Sequence, residues 1–404
     1  MTVAHAVLVS EADFIDAQDA SAPRGLAARR YLLSCGQCAR RLERDLMLFG
    51  RGEIPVRPEE VIEPVRIIEV LPAGTVNGTG TVETPLARAP VAGRNLMTDW
   101  KPAMRVPDPA VRVLDERFRH YVLPLAKLER LATGCRWAEG PVWFGDHRTL
   151  VWSDIPNDRM LRWDAANEML SVFRQPSNYA NGNTRDHQGR LVTCEHGGRR
   201  VTRTEHDGTI TVLADSYQGK RLNAPNDVVV AADGTVWFSD PVFGILGDYE
   251  GYRAEPELPT YLYRLDPDGR LDAAAELRSP NGLAFSPDET VLYVVESLAV
   301  PHRRIVAYDV RDGSLGEQRP FIDCGDGTPD GLRIDEDGNL WCGWGGGEGL
   351  DGVRVFAPDA TPIGHIDLPE RCANLAFGGR ARNRLFLAAH SSLYALYVNV
   401  RGVR

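Results

Sequence analysis

The sequence lacks any apolar run near the roughly 20 residues that cross a bilayer, and it lacks a basic excess. Its 46 Lys and Arg are outnumbered by 56 Asp and Glu, for a net charge of −10 and a pI near 5.5. The first absence argues against a helical membrane span. The second argues against a nucleic-acid partner, because phosphate binding needs a basic face. A disulfide framework is also missing: the seven cysteines (Cys35, Cys38, Cys135, Cys194, Cys324, Cys342 and Cys372) are odd in number and scattered, like reduced interior thiols. The nine histidines show no metal-ligand spacing. No G-x-S-x-G elbow, H-E-x-x-H helix or P-loop occurs. The stretch "GEGLDG" at 347–352 precedes the strand-like "VRVFAP" rather than a helix, so a phosphate-cradling turn is not expected there. The N-terminus "MTVAHAVLVSEADFIDAQ" has no basic segment and turns acidic at once, a poor secretory signal. Cytoplasmic residence is the resulting expectation.

What is present falls into two textures. Residues 1–110 form an N-terminal extension. Within it, "ARRYLLSCGQCARRLERDLMLFG" (28–50) places Tyr31, Cys35, Cys38, Leu42, Leu46 and Phe49 at the spacing of one amphipathic helix. A Pro-, Gly- and Thr-rich linker follows. Cys35 and Cys38 have neither a second pair for zinc nor a βαβ setting for redox work, so they read as an apolar helix face. Met97 and Met104 are alternative starts, which would make the upstream stretch dispensable.

Residues 111–404 read as the second domain. From Leu128 onward, short apolar runs alternate with turn dipeptides such as "HDG", "ADG", "PDG" and "EDG", the hairpin signal. Six similar openings recur: Glu139 in "AEGPVWF", Asn183 in "ANGNTRD", Asn226 in "APNDVVV", Asn281 in "SPNGLAF", Asp330 in "TPDGLRI" and Asn374 in "RCANLAF". Their spacing of 43 to 55 residues is that of propeller blades with four strands each. The longest interval carries an insertion, "GILGDYEGYRAEPELPT" (244–260). The predicted fold is all-β: a six-bladed β-propeller with an N-terminal extension of one helix plus linker. Blade one reads as strands Glu139–Trp143, Thr149–Asp154, Met160–Asp164 and Met169–Arg174. The segment "LAKLERLATG" is a candidate outer strand that closes the last blade and removes an open edge. Trp143, Trp152, Trp163, Trp237 and Trp341 fall at core positions between blades.

The first strand of a blade lines the central channel, so six Glu, Asn or Asp side chains converge on one axis. Unpaired buried polar groups cost about 1–3 kcal/mol each, so such a ring calls for shared partners. Bridging water is one solution; a metal ion is the other. The carboxylates of Glu139 and Asp330 and the amides of Asn226 and Asn281 offer oxygen alone. That favours a hard cation.

The motifs "RWAEGPVWF", "RLVTCEHGGRRVTR", "GKRLNAPNDVVVAADGTVWFSDPVFG", "PNGLAFSPDETVLYVVES" and "PDGLRIDEDGNLW" together resemble the gluconolactonase family, which includes regucalcin. The resemblance covers roughly 110–400. It implies a six-bladed propeller that hydrolyses a sugar lactone with one divalent cation in the channel, calcium first and magnesium, manganese or zinc as alternatives. It makes Glu139, Asn281 and Asp330 direct metal ligands, and Asn226 a fourth ligand or a substrate contact. Asp330 is then the first choice of general base. Asp227, beside Asn226, is the second, although an Asx turn would equally explain it. Asn183, Asn226, Arg221, Asp240 and His196 are the candidate contacts to sugar hydroxyls. The expected partner is a small-molecule lactone. Two other readings fit the same architecture: a non-catalytic propeller that binds calcium or a protein, and a related propeller hydrolase acting on other esters.

Overall fold

The computed structural model describes residues 100–403. The helix over 28–50, the linker after it, Cys35, Cys38 and Met97 lie outside the described residues. Within them the chain is a six-bladed β-propeller, strands throughout except for three short 3₁₀ turns.

Local chemistry sets the hairpins. In "RDG", Asp312 and Gly313 both take positive φ, 50° and 70°, the geometry of a two-residue turn between strands Arg304–Arg311 and Ser314–Asp323. In "HDG" and "ADG", Asp207 and Asp233 accept the backbone N–H two residues on, from Thr209 and Thr235, each at 2.9 Å. Gly208 and Gly234 take the positive φ those turns require.

Blade one consists of Ala138–Phe144, Thr149–Asp154, Arg159–Asp164 and Met169–Arg174, within a residue of the sequence reading. Blades two to five follow in chain order, with inner strands Ala180–Arg185, Val228–Val230, Pro280–Phe285 and Thr328–Ile334. Blade six takes Cys372–Gly378, Arg384–Ala389 and Ser392–Tyr397 from the C-terminal part of the chain. Its outer strand is Glu129–Thr133, paired antiparallel with Ser392–Tyr397. The ring therefore closes with strands from opposite ends of the domain, as "LAKLERLATG" suggested, and no blade edge is left unmatched at the join. Val111–Val113 adds a fifth strand to the outside of blade five.

The cores lie between blades. Trp143 stacks on Phe386 across the join of blades one and six, with ring centroids 5.4 Å apart. Trp143, Trp152, Trp163, Trp237 and Trp341 are all buried, as expected of residues packed between sheets. Among the described residues no helix is long and apolar enough to cross a membrane.

Candidate metal centre

The inner strands of blades one, two, four, five and six are interrupted where they reach the hub, whereas Val228–Val230 of blade three pairs without a shift. Blade one pairs Ala138 with Asp154, then skips a residue after Glu139 before Val142 meets Val151. Blades four and five do the same after Pro280 and Pro329, and the skipped stretches begin with Asn281 and Asp330. The bulge frees those side chains from the pleat and directs them away from the neighbouring sheet. In blade two the break follows Ala180. The residue in register with Glu139 is thus Asn181, and Asn183 lies two positions further along. The repeated "N-G-N" in that blade made the two indistinguishable by spacing.

The glycine after each of these residues has a steric reason. A Cβ on Gly140 would lie 2.1 Å from the Asn181 carbonyl oxygen, one on Gly182 2.3 Å from that of Asn226, and one on Gly282 2.4 Å from that of Asp330. Neighbouring inner strands converge so closely that no side chain fits. Blades three and six place Asp227 and Asn374 there instead. These two meet: Asn374 Nδ2 donates to Asp227 Oδ2 at 3.3 Å, from strands 147 residues apart in sequence. The pair spans the hub as a floor. Asp227 Oδ1 also accepts Val228 N–H at 2.9 Å, and Arg333 Nη1 stands 3.5 Å from Asp227 Oδ2.

The tier at the mouth of that floor is slightly open. Glu139, Asn226, Asn281 and Asp330 keep 4–7% exposure, whereas Asn183, Asp227 and Asn374 keep 0–1%. Burial pushes the Glu139 carboxyl well above the usual range, and the nearby charges of Asp330 and Asp227 push it the same way. The Asp330 carboxyl is also raised by burial; Arg371 and a hydrogen bond from Asn281 oppose the rise. Blades one, three, four, five and six therefore all reach one small volume. Arg371 Nη2 contacts Asp330 Oδ2 at 2.5 Å.

This donor set fits a hard divalent cation. It offers two carboxylates and two amide oxygens, with no sulfur or imidazole, so zinc ranks last on softness. Among the described residues no three His, Cys, Asp or Glu side chains form a ligand cluster by themselves, so any cation here depends on the amides of Asn226 and Asn281. Charge agrees. Glu139, Asp227, Asp330 and the neighbouring Glu250 set four carboxyl groups against the two guanidinium groups of Arg333 and Arg371, an acid-rich hub that a cation would favour in its ionised form.

The structure places the other expected site residues away from this tier. The Asn183 amide is saturated by protein: Nδ2 donates to Gly140 O, Ser153 Oγ and Asn181 O, and Oδ1 accepts Thr193 Oγ1. Asp240 accepts the backbone N–H groups of Asn223 and Ala224, both at 2.8 Å, and so pins the turn that carries Asn226. Its burial raises its pKa to about 7. His196 is buried, with Nδ1 3.0 Å from the Glu250 carbonyl and Nε2 3.1 Å from Asn181 Nδ2. Arg221 is exposed and donates to Gly198 O. Arg371, Trp137, Glu250 and Asn181 escaped the sequence reading. Arg371 stands one residue before the sixth strand opening, and Trp137 two residues before Glu139, so proximity to the repeat was the available signal.

The family model described as "SMP-30/Gluconolactonase/LRE-like region" matches residues 137–391. A gluconolactonase of Zymomonas mobilis is 33% identical over 293 residues, 65% of this chain and 79% of that one. A pentonolactonase of Haloferax volcanii is 30% identical over 264 residues, 63% and 82% of the two chains. Among solved structures, a gluconolactonase of Xanthomonas campestris superposes with a TM-score of 0.67 at 41% identity, covering 71% of this chain and 94% of that one. The matched segment contains every blade opening from Glu139 to Asn374, and on that ground the chain belongs to the SMP-30/gluconolactonase/LRE-like family.

Proposed function

We propose that this protein hydrolyses a sugar lactone of the gluconolactone type to its aldonic acid, using a divalent cation held by Glu139, Asn226, Asn281 and Asp330. The observation that carries the reading is the convergence of two buried carboxylates, Glu139 and Asp330, with the Asn281 amide hydrogen-bonded to Asp330, in one hub. The relatives named above as lactonases support the reaction class. When bound, such a cation polarises a carbonyl and lowers the pKa of nearby water.

The chain's own residues do the rest. Asp330 takes the proton of the attacking water as its oxygen bonds to the carbonyl carbon. It then returns that proton to the ring oxygen as the acyl C–O bond breaks. The opposing effects on Asp330 serve this exchange: burial makes it more basic, and Arg371 and Asn281 restrain it. Asp227, occupied by Asn374 and Arg333, is the weaker candidate for base and the better one for holding the floor. Cytoplasmic residence suits the five described cysteines, all buried and unpaired.

Acid release from D-glucono-1,5-lactone, followed by pH-stat before and after chelation, tests the proposal. Turnover should vanish with chelator and return with calcium, magnesium or manganese. Absence of metal-dependent acid release on any of a panel of lactones would sink it and favour a non-catalytic binding propeller. Turnover of open-chain esters in preference to lactones would favour the related hydrolase.

A further inference from the structure

Two departures from the blade repeat meet at Arg371. Blades one to four each end the second strand with an acid: Asp154, Glu195, Asp240 and Glu296. Blade five ends it at Gly345. A Cβ there would lie 2.5 Å from Cδ of Arg371, so the missing side chain is what lets the arginine cross from blade six to Asp330 in blade five. The guanidinium lies over the Trp137 ring, 5.4 Å from its centroid, and Trp137 in turn packs 5.3 Å from the His390 ring. Packing therefore fixes its direction. Its capacity is not used up. About a third of the side chain is exposed, at 32%, and Nε is buried without a partner.

The carboxylate that Arg371 contacts is also a candidate metal ligand. A cation engaging Asp330 makes the same demand on it that the guanidinium makes, so a loaded channel leaves Arg371 with donors to spare. The proposed reaction supplies a new acceptor at this place. A lactone is uncharged, whereas the opened ring ends in a carboxylate, formed from the carbonyl that the hub holds. A planar guanidinium matches a carboxylate through two parallel N–H donors, which a lactone carbonyl cannot use. Glu250, on the insertion over 244–260, sits within electrostatic reach of both Asp330 and Arg371.

We propose that Arg371 is a ligand-binding residue that reads negative charge: with Asp330 engaged by a divalent cation, its guanidinium binds the carboxylate of the aldonate that ring opening releases. The inference rests on the lactonase reading above. It assigns to Trp137 and Gly345 the positioning of that guanidinium.

The test is calorimetric titration at a fixed excess of free calcium. D-gluconate is compared with D-glucitol, which keeps the hydroxylated chain without the carboxylate. Wild-type protein should bind gluconate more tightly than glucitol. Arg371→Ala should weaken gluconate about tenfold, the scale of one charge-assisted contact, and leave glucitol unchanged. Arg371→Lys, which keeps the charge but not the fork, should fall between and serves as the second variant if the alanine protein folds poorly. Gluconate affinity within about twofold of wild type in both variants, or equal losses for the two ligands, overturns the inference, as does a wild-type protein with no preference for gluconate. Failure of the lactonase reading looks different: wild-type protein then releases no acid from any lactone, whatever Arg371 does.

Discussion

Blades one to four and blades five and six hold their inner strands by different means. In the first group the acid ending the second strand reaches back to the segment just before the first. Asp154 accepts Arg136 N–H at 2.8 Å, Glu195 accepts Asn178 Nδ2 at 2.7 Å, Asp240 accepts Asn223 and Ala224 N–H, and Glu296 accepts Arg278 N–H at 2.9 Å. The clamp fixes the chain two to three residues ahead of the channel position. Blade five has Gly345 instead, and blade six reverses the device, with Glu370 ahead of the inner strand accepting Ser391 N–H at 2.7 Å. Repetition builds the scaffold, while the broken repeat leaves space for a side chain that a clamp would exclude. The only arginine in direct contact with a candidate metal ligand among the described ion pairs enters through that space.

Breaking the second group at its ligand should have the largest effect. Asp330→Ala removes a carboxylate from the hub, and lactone turnover by pH-stat at saturating cation should fall by about a thousandfold, the scale of losing a key electrostatic group. The circular dichroism spectrum should remain that of a β-propeller. Retained turnover would reassign the base.

Breaking the first group should act on stability before chemistry. Asp240→Ala leaves the Asn223 amide without its acceptor, and Ala224 N–H with only the Pro241 carbonyl at 3.1 Å, in a fully buried turn. Unfolding free energy from urea titration should drop by about 2–3 kcal/mol. Because that turn carries Asn226, metal affinity should weaken as well. A variant that loses stability but binds calcium as wild type does would uncouple the clamp from the hub.

The scaffold, rather than this contrast, was legible in the sequence. Hairpins are local, so Asp-Gly turns and period-two strands announce themselves, and the closing strand follows from a blade left one strand short. Glu139, Asn281 and Asp330 drew notice because an acid or amide followed by glycine recurs at the blade period. Two things were hidden. In blade two, Asn181 and Asn183 differ only in where the ladder breaks, a property of pairing rather than of spacing. Arg371 has meaning only beside Gly345 and Trp137, which are distant in sequence and brought together by ring closure. Asp240 and His196 stood out because they adjoin motifs, and in the structure both make hydrogen bonds that hold backbone in place. Asp240 pins a turn, and His196 props the insertion. No short-range pattern separates such a residue from one that faces a ligand.

Gly345→Ala sharpens the comparison from the other side. The added methyl must displace Arg371, at a cost of about 1–2 kcal/mol typical of overpacking. The same exchange at Gly247, where an added Cβ meets nothing within 4 Å, should be near neutral. Equal urea midpoints for the two variants would show that Arg371 moves freely and that the glycine is incidental.

The smallest effect expected concerns His196, which follows the blade-two clamp Glu195 and props the insertion. Burial lowers its pKa to about 4, and the hydrogen bond to the Glu250 carbonyl only partly offsets that. The folded state therefore holds the neutral ring, while the unfolded chain protonates near the ordinary value of about 6.5. The unfolded state binds more protons between those two values, so stability is fully present above pH ~6.5 and is lost as pH falls toward ~4. Between pH 7 and pH 5.5 the loss from this one residue should be about 1 kcal/mol. His196→Gln cannot titrate, and urea midpoints for it should fall less over that interval than those of wild type. An identical decline in both proteins would place the acid sensitivity elsewhere, with the buried His365, whose pKa is also lowered to about 4, as the next residue to exchange.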